Sequence, residues 1–253
     1  MSQPARSRCG PSIEELLPLL PSNGLGFLYG RERAGDLLAG TLQEDTPLLI
    51  LGAVGTGKTL LLASILRQLY AANGPERLQV TFIDPDRGLA PLFESRPQTR
   101  RIAVKERDFL DALILPFEET GKPEAPYQLL VADELMWLAP HGPFQEQWQR
   151  FQEVLAQLSE DEGLRQRVGL LATSIIGTQE TNARFSSTIY IPQDFPFSLQ
   201  QQLAAEPWLE RLVRKYRRGN LFIKRSGQDY RLFRAPFLSV SGPPSVPDLC
   251  WGP

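Results

Sequence analysis

The stretch LLILGAVGTGKTLLLASIL, residues 48–66, joins two apolar runs through a loop with three glycines and one lysine. The first run is short and stops at Gly52, which predicts a buried parallel strand. The second run continues at helical spacing to Asn73 and Gly74, a typical helix stop. The stretch therefore predicts a strand, a glycine-rich loop and a helix in that order.

The loop matches the phosphate-binding pattern G-x-x-x-x-G-K-[ST]. Glycine lets backbone N–H groups converge on an anion, and the start of the helix adds positive potential. We expect ATP here, with Lys58 reaching its β and γ phosphates and Thr59 acting as a ligand of Mg²⁺. The predicted nucleotide-binding residues are Gly52, Ala53, Val54, Gly55, Thr56, Gly57, Lys58, Thr59 and Leu60.

Two adjacent acids end a later apolar run, LLVADE at residues 129–134. Asp133 is placed to hold Mg²⁺, directly or through water, and Glu134 is placed to polarise an attacking water. The alternative is that the two acids cap a following helix. We favour hydrolysis, because the phosphate-binding loop lies upstream.

Two further predicted strands end in polar residues at the same sheet edge. LLATS ends at Thr173 and Ser174. Thr173 either contacts the γ-phosphate or the attacking water, or it caps its own loop. Asp84, at the end of VTFID, either orients a neighbouring loop or interface or caps the turn at Pro85.

The composition is that of a globular chain with ample material for a core, since 42% of the 253 residues are apolar. The net charge of -2 means that any contact with nucleic acid must come from local basic patches. Cys9 and Cys250 are too few and too isolated for a disulfide framework, and His141 alone makes a zinc site improbable. No stretch reaches the roughly 20 apolar residues of a membrane span, so we expect a cytoplasmic protein.

Strands alternate with helices along the chain, which predicts an α/β fold with a mainly parallel sheet covered by helices. A hairpin is predicted within residues 219–237, around Ser226 and Gly227. We expect one domain over residues 1–253, with an N-terminal arm at 1–22, an ATPase core at 23–240 and a proline-rich tail at 241–253. The predicted strands lie in 46–53, 78–86, 127–138, 167–175 and 187–193, with a shorter one within 93–108; the predicted helices lie in 30–42, 58–72, 144–160 and 198–218.

The phosphate-binding loop, FIDPD, LLVADE, LLATS, STIYI and GNLFI occur in this order. In this arrangement the chain resembles the FtsK/HerA superfamily of DNA-pumping ATPases over about residues 45–224. The resemblance implies a RecA-like core in which Asp133 and Glu134 serve the metal and the attacking water. Ser174 stands where the family usually has glutamine, which puts its sensing role in doubt.

The resemblance also implies a hexameric ring in which an arginine of one subunit completes the nucleotide site of its neighbour. The candidates are Arg165, Arg167 and Arg184, each of which is otherwise a surface arginine. Double-stranded DNA is implied as the partner, threaded through the ring and held by phosphate contacts. The candidate basic clusters, which are otherwise solvated faces, are Arg96, Arg100 and Arg101, and Arg211, Arg214, Lys215, Arg217 and Arg218.

In size, the chain resembles the minimal genome-packaging ATPases of tailless, membrane-containing icosahedral viruses. That resemblance implies capsid or membrane-vertex partners, and a location in the host cytoplasm or at the virion vertex. The alternatives are a motor of a plasmid or other mobile element, or a non-hydrolysing assembly protein. A further alternative is an AAA+/STAND-like signalling ATPase, because residues 29–42 resemble the lead-in of those families.

Overall fold

The computed structural model describes residues 12–22, 25–118, 120, 124–135, 145–175, 183–191 and 221–235. The helices in this part of the chain are α1 (Ile13–Leu16), α2 (Leu42–Asp45), α3 (Lys58–Ala72), α4 (Phe109–Glu118), α5 (Gln145–Glu160) and α6 (Glu162–Arg165). The strands are β1 (Gly26–Glu32), β2 (Leu37–Thr41), β3 (Leu48–Leu51), β4 (Leu78–Ile83), β5 (Thr99–Ala103), β6 (Tyr127–Ala132), β7 (Val168–Ser174), β8 (Ser187–Tyr190), β9 (Leu221–Arg225) and β10 (Arg231–Arg234). Short 3₁₀ turns lie at Leu17–Leu19, Ala90–Leu92 and Glu106–Asp108.

All the described strands belong to one sheet, in the order β2-β1-β10-β9-β8-β3-β7-β6-β4-β5. The strands from β8 to β5 in this order are parallel to one another. The remaining strands, β9, β10, β1 and β2, extend the sheet with antiparallel pairings. Because parallel strands share a direction, the residues that follow β3, β4, β6 and β7 emerge at one edge, the carboxyl edge.

Helices cover both faces of the parallel half, as the sequence predicts. Leu48 and Ile50 of β3 join a core cluster that contains the apolar side chains of α3. The alternate residues of the same strand, Leu49 and Leu51, join a second cluster with α4 and α5. All four side chains are buried, which explains why β3 reads as a continuous apolar run.

The predicted helix at 30–42 is wrong, because β1 and β2 form an antiparallel hairpin there. Gly35 adopts a φ of 100° in the turn between them, a conformation that favours glycine. A Cβ on Gly30 would lie 1.9 Å from the carbonyl oxygen of Arg234, so glycine allows β1 to pair closely with β10. Glycine is also costly inside a helix, and only the short α2 follows the hairpin.

The other predicted elements within the described residues are confirmed. Helix α3 ends at Ala72 with Asn73 as its C-cap, and the hairpin of β9 and β10 turns at Ser226 and Gly227. Helix α4 is an additional element that the sequence did not predict. The predicted helix at 198–218, the tail at 241–253, both cysteines and His141 lie outside the described residues. None of the helices in the described part of the chain combines the length and apolar character needed to cross a bilayer.

Candidate nucleotide site

The predicted phosphate-binding loop lies between β3 and α3, at the carboxyl edge of the sheet. Gly55 and Gly57 adopt φ angles of 76° and 94°, in the left-handed region that side chains disfavour. At Gly52, a Cβ would lie 2.6 Å from the hydroxyl of Thr56, so a larger residue would disturb the loop. The glycines therefore serve the backbone path that a phosphate cradle requires.

Lys58 begins α3 and is almost fully buried, with 4% of its surface exposed. Its Nζ lies 2.9 Å from Oε1 of Glu134 and donates a hydrogen bond of 3.3 Å to the carbonyl oxygen of Ala53. The ammonium group thus links the phosphate-binding loop to the acid that follows β6.

Asp133 and Glu134 lie directly after β6 and face the start of α3 across β7. The hydroxyl of Thr59 donates to the carboxylate of Asp133, at 3.1 Å from Oδ2 and 3.3 Å from Oδ1. The structure therefore brings four predicted site residues together: Lys58, Thr59, Asp133 and Glu134.

The pKa of Asp133 is raised, chiefly because the carboxyl group is buried. Hydrogen bonds from Thr173 and Thr59 oppose this shift, and the negative charges of Asp84 and Glu134 add to it. A positive ion beside Asp133 would favour the ionised carboxylate.

The donor set fits Mg²⁺, which prefers hard oxygen ligands and usually binds through one or two protein groups plus phosphates and water. Thr59 and Asp133 offer a hydroxyl and a carboxylate that already contact each other. No group of three or more His, Cys, Asp or Glu side chains in the described ranges would hold a metal ion by itself.

Thr173 and Ser174 end β7 beside these acids, and both are buried. The Thr173 hydroxyl donates to Oδ1 of Asp133 at 2.6 Å and accepts the N–H of Glu134 at 2.8 Å. Its hydrogen bonds therefore go to the two acids. The carbonyl oxygen of Ser174 accepts the N–H of Gly52 at 3.2 Å, which fixes the start of the phosphate-binding loop.

Asp84 directly follows β4 and is buried. Its carboxylate accepts the N–H groups of Gly88, Leu89 and Ala90 at 3.2, 2.9 and 2.7 Å. Of the two interpretations left open by the sequence, the structure supports the capping of the turn that follows β4.

The three candidate arginines precede β7 or β8, so they lie toward the amino edge, opposite the phosphate-binding loop. Arg165 and Arg184 donate to the carbonyl oxygens of Ser159 and Gln152, each at 3.4 Å. Arg167 donates to the carbonyl oxygen of Thr120. Their contribution to a neighbouring subunit's site stays a prediction.

The first basic cluster lies at the edge strand β5, far along the sheet from β3. Arg96 and Arg100 are exposed, whereas Arg101 forms an ion pair with Asp111 at 3.0 Å. The second basic cluster, at 211–218, lies outside the described residues.

Gln68 is a residue of the site's framework that the sequence-based reasoning missed. It lies on the buried side of α3, where its side chain accepts the N–H of Leu28 at 2.8 Å and donates to the carbonyl oxygen of Leu28 at 3.1 Å. The side chain thus ties the helix that follows the phosphate-binding loop to the bulge in β1. The sequence signal that could have revealed Gln68 is the presence of a polar residue within the apolar stripe of a helix.

A sequence comparison bears on the family of this chain. The chain is 31% identical over 88 residues to the DNA translocase FtsK of Leptospira interrogans, a match that covers 35% of this chain and 9% of FtsK. In this comparison the chain again resembles the FtsK/HerA superfamily of P-loop ATPases. It spans less than a tenth of the length of this curated FtsK relative, and no protein-family model matches it.

Solved structures show the same fold at low sequence identity. The cytoplasmic domain of the type VII secretion ATPase EccC of Thermomonospora curvata has a TM-score of 0.68 at 17% identity, covering 96% of this chain and 34% of that one. The pCW3 conjugation coupling protein TcpA, solved with ATPγS, gives 0.64 at 15%, covering 93% and 71%. The genome packaging NTPase B204 of Sulfolobus turreted icosahedral virus 2, solved with AMPPCP, gives 0.52 at 12%, covering 78% and 100%.

The sheet of this chain includes the N-terminal hairpin β1–β2. Strand β1, which precedes the phosphate-binding loop, pairs with β10 of the hairpin that follows β8. The two segments thus belong to one sheet. The expected resemblance over about residues 45–224 therefore covers less than the folded unit, which includes residues from 25 to 235.

Proposed function

We propose that this chain is an ATP-hydrolysing motor that moves double-stranded DNA. The observation that carries the proposal is the meeting of Lys58 and Thr59 with Glu134 and Asp133, at 2.9 and 3.1 Å. This set contains a phosphate-binding cation, two oxygen ligands for a metal and a carboxylate that can accept a proton from water.

In the proposed reaction, ATP enters between the phosphate-binding loop and the end of β6. Lys58 would leave Glu134 and bind the β and γ phosphates, while Thr59 and Asp133 would hold Mg²⁺. When bound there, the ion would supply positive charge that offsets the charge developing on the transferred phosphoryl group. Glu134, released from Lys58, orients the attacking water and accepts its proton.

The proposed partner is duplex DNA, gripped by a ring of six copies of this chain. The FtsK relative is a DNA translocase, which supports this substrate class. Phosphate contacts need charge rather than base readout, so exposed arginines such as Arg96 and Arg100 suit a grip that moves along the duplex. One of Arg165, Arg167 and Arg184 would complete the site of the adjacent subunit.

Within this class we propose viral genome packaging, with capsid or membrane-vertex proteins as partners. The likeness to B204 supports it, because this chain accounts for the full length of that packaging NTPase. Plasmid transfer is the second candidate, supported by the higher TM-score with the conjugation coupling protein. A signalling ATPase of the AAA+/STAND type is a weaker alternative, since residues 30–42 form a strand hairpin within the sheet rather than a helix.

The deciding experiment measures ATP hydrolysis by the full chain with and without linear duplex DNA. We expect DNA to stimulate hydrolysis, and the stimulation to weaken with added salt as phosphate contacts are replaced by counterions. Hydrolysis that ignores duplex DNA at low salt, in a chain shown to form rings, would contradict DNA translocation. If the chain hydrolyses no ATP at all, the non-hydrolysing assembly protein is the candidate function that remains.

A further inference from the structure

Thr173 makes two hydrogen bonds that use its hydroxyl group in two different ways. The group donates its proton to Oδ1 of Asp133 at 2.6 Å and accepts the N–H of Glu134 at 2.8 Å. The side chain has no measurable exposed surface. A threonine hydroxyl has one proton, so while it donates to Asp133 it has none left for a phosphate oxygen.

The sheet register explains why this contact forms. Ala132 of β6 lies beside Ala172 of β7, so the next residues, Asp133 just after β6 and Thr173 still within β7, lie side by side. On its other side Thr173 lies beside Ile50 of β3. Thr173 therefore sits between the strand that leads to the phosphate-binding loop and the strand that leads to the two acids.

Glu134 has a backbone conformation that requires support. Its φ of 59° lies in the left-handed region, which among the described non-glycine residues only Arg87 shares. Such a conformation costs free energy and persists where neighbouring groups fix it. The N–H of this residue is the group that Thr173 accepts, so the hydroxyl supports the backbone turn that aims the Glu134 side chain at Lys58.

We infer that Thr173 is a positioning residue, which sets the metal-binding carboxylate of Asp133 and the water-activating carboxylate of Glu134 in one geometry. The inference rests on the proposed ATPase function. It assigns Thr173 an action through the two acids, in place of a contact with the γ-phosphate. Groups that orient a metal ligand commonly change metal affinity or activity by about 10–100-fold when they are removed.

The test compares Thr173→Val, which keeps the shape and removes the hydroxyl, with Thr173→Ser, which keeps the hydroxyl. Thr188→Val, at a buried threonine of β8, is the matched control for the same chemical change outside the site. We expect Thr173→Val to lower kcat by about 10–100-fold and to raise the Mg²⁺ concentration needed for half-maximal activity, while Thr173→Ser stays within about threefold of the wild type. Thr188→Val should leave both quantities unchanged.

Two results would overturn the inference. One is a Thr173→Val protein with the wild-type kcat and Mg²⁺ dependence; the other is a Thr173→Ser protein as impaired as Thr173→Val, which would make shape the cause. Thermal melting of each variant shows whether a loss of activity reflects unfolding. Unfolding alone would lower the activity without changing the Mg²⁺ dependence of the protein that stays folded.

The same variants separate this inference from the proposed function. If the wild-type chain binds a non-hydrolysable ATP analogue without hydrolysing ATP, the proposed function fails. Calorimetric titration with that analogue then still tests Thr173, because Thr173→Val should weaken only the Mg²⁺-dependent part of binding. Equal binding by the wild type and Thr173→Val, with Mg²⁺ present, would contradict the positioning role.

Discussion

The Nζ atom of Lys58 lies 2.9 Å from Oε1 of Glu134, so the cation predicted to receive phosphate is held by the acid predicted to activate water. The hydroxyl of Thr59 donates a hydrogen bond to the carboxylate of Asp133, at 3.1 Å. Both residues at the start of α3 thus contact an acid after β6. Binding of Mg²⁺ and ATP would exchange both contacts: phosphate would replace the carboxylate at Lys58, and Thr59 and Asp133 would hold the ion.

Glu134→Gln should separate nucleotide binding from hydrolysis. The neutral amide competes less strongly for Lys58, so we expect ATP to bind about 3- to 10-fold more tightly. Hydrolysis should fall by about 10²–10⁴-fold, because an amide does not accept the proton of the attacking water. Titration with a fluorescent ATP analogue measures the first effect, and phosphate release measures the second.

The matched control for this variant is Glu162→Gln, at an exposed glutamate of α6 near the opposite sheet edge. It should bind and hydrolyse ATP as the wild type does. Substantial hydrolysis by Glu134→Gln would remove this residue from its proposed role. Weaker binding by Glu134→Gln would show that the ion pair with Lys58 does not compete with phosphate.

Lys58→Ala should abolish nucleotide binding or turnover. The change removes the ammonium group that reaches the phosphates, and we expect kcat/KM to fall by about 100-fold or more. Lys105→Ala, at an exposed lysine after β5, is the control for the loss of one positive charge. If ATP hydrolysis by Lys58→Ala equals that of the control, the nucleotide binds elsewhere on the chain.

Local patterns were sufficient to predict the parts of the fold that carry the site. The apolar run of β3, the glycines of the loop and the helical spacing of α3 lie within a few residues of one another, and each has a direct physical reason. The same holds for β6, whose apolar run ends at Asp133. These elements have the predicted type and order.

The contacts missed by sequence reasoning join distant parts of the chain. Residues 30–42 have apolar spacing that suits a helix, yet the close approach of Gly30 to Arg234 places them in the sheet. The pairing of Gln68 with Leu28 and the double hydrogen bond of Thr173 depend on which strands are neighbours. Strand order is set by the whole core, so no local pattern reveals these partners.

A buried ion pair fastens the two hairpins to the parallel half of the sheet. Arg225 Nε lies 2.6 Å from Oδ1 of the fully buried Asp45, and its Nη2 donates to the carbonyl oxygen of Ala39 in β2 at 2.7 Å. Asp45 also accepts the hydroxyl of Ser187 at 3.0 Å and the N–H of Thr41 at 3.1 Å. The cluster therefore joins β2, α2, β8 and β9.

Arg225→Met should destabilise the fold strongly, because it leaves the carboxylate of Asp45 buried without its cation. We expect a loss of about 3–5 kcal/mol in the free energy of unfolding, measured by urea denaturation. Arg231→Met is the matched control in the same hairpin. Arg231 pairs with Glu32 at the surface, where a salt bridge contributes about 1 kcal/mol or less. Equal losses in the two variants would contradict the special role of the buried pair.

The loss of stability in Arg225→Met should depend on pH in a defined direction. Burial raises the pKa of Asp45, and the charge and hydrogen bonds of Arg225 are the largest of the opposing influences. Without Arg225 the pKa in the folded state rises further above the unfolded value of about 3.9. The folded variant then binds a proton more readily than the unfolded chain, so its stability is greatest below the unfolded pKa and falls as the pH rises through the folded pKa.

The deficit relative to the wild type should therefore shrink as the pH falls from about 7.5 to 4.5, when Asp45 takes up a proton and the uncompensated charge disappears. Urea denaturation of both proteins at several pH values measures this deficit. In the double variant Asp45→Asn with Arg225→Met, no carboxyl group titrates at this position. Its unfolding free energy should exceed that of Arg225→Met at neutral pH, and the difference between them should narrow in acid. A deficit that is constant across this range would mean that Asp45 is not the source of the instability.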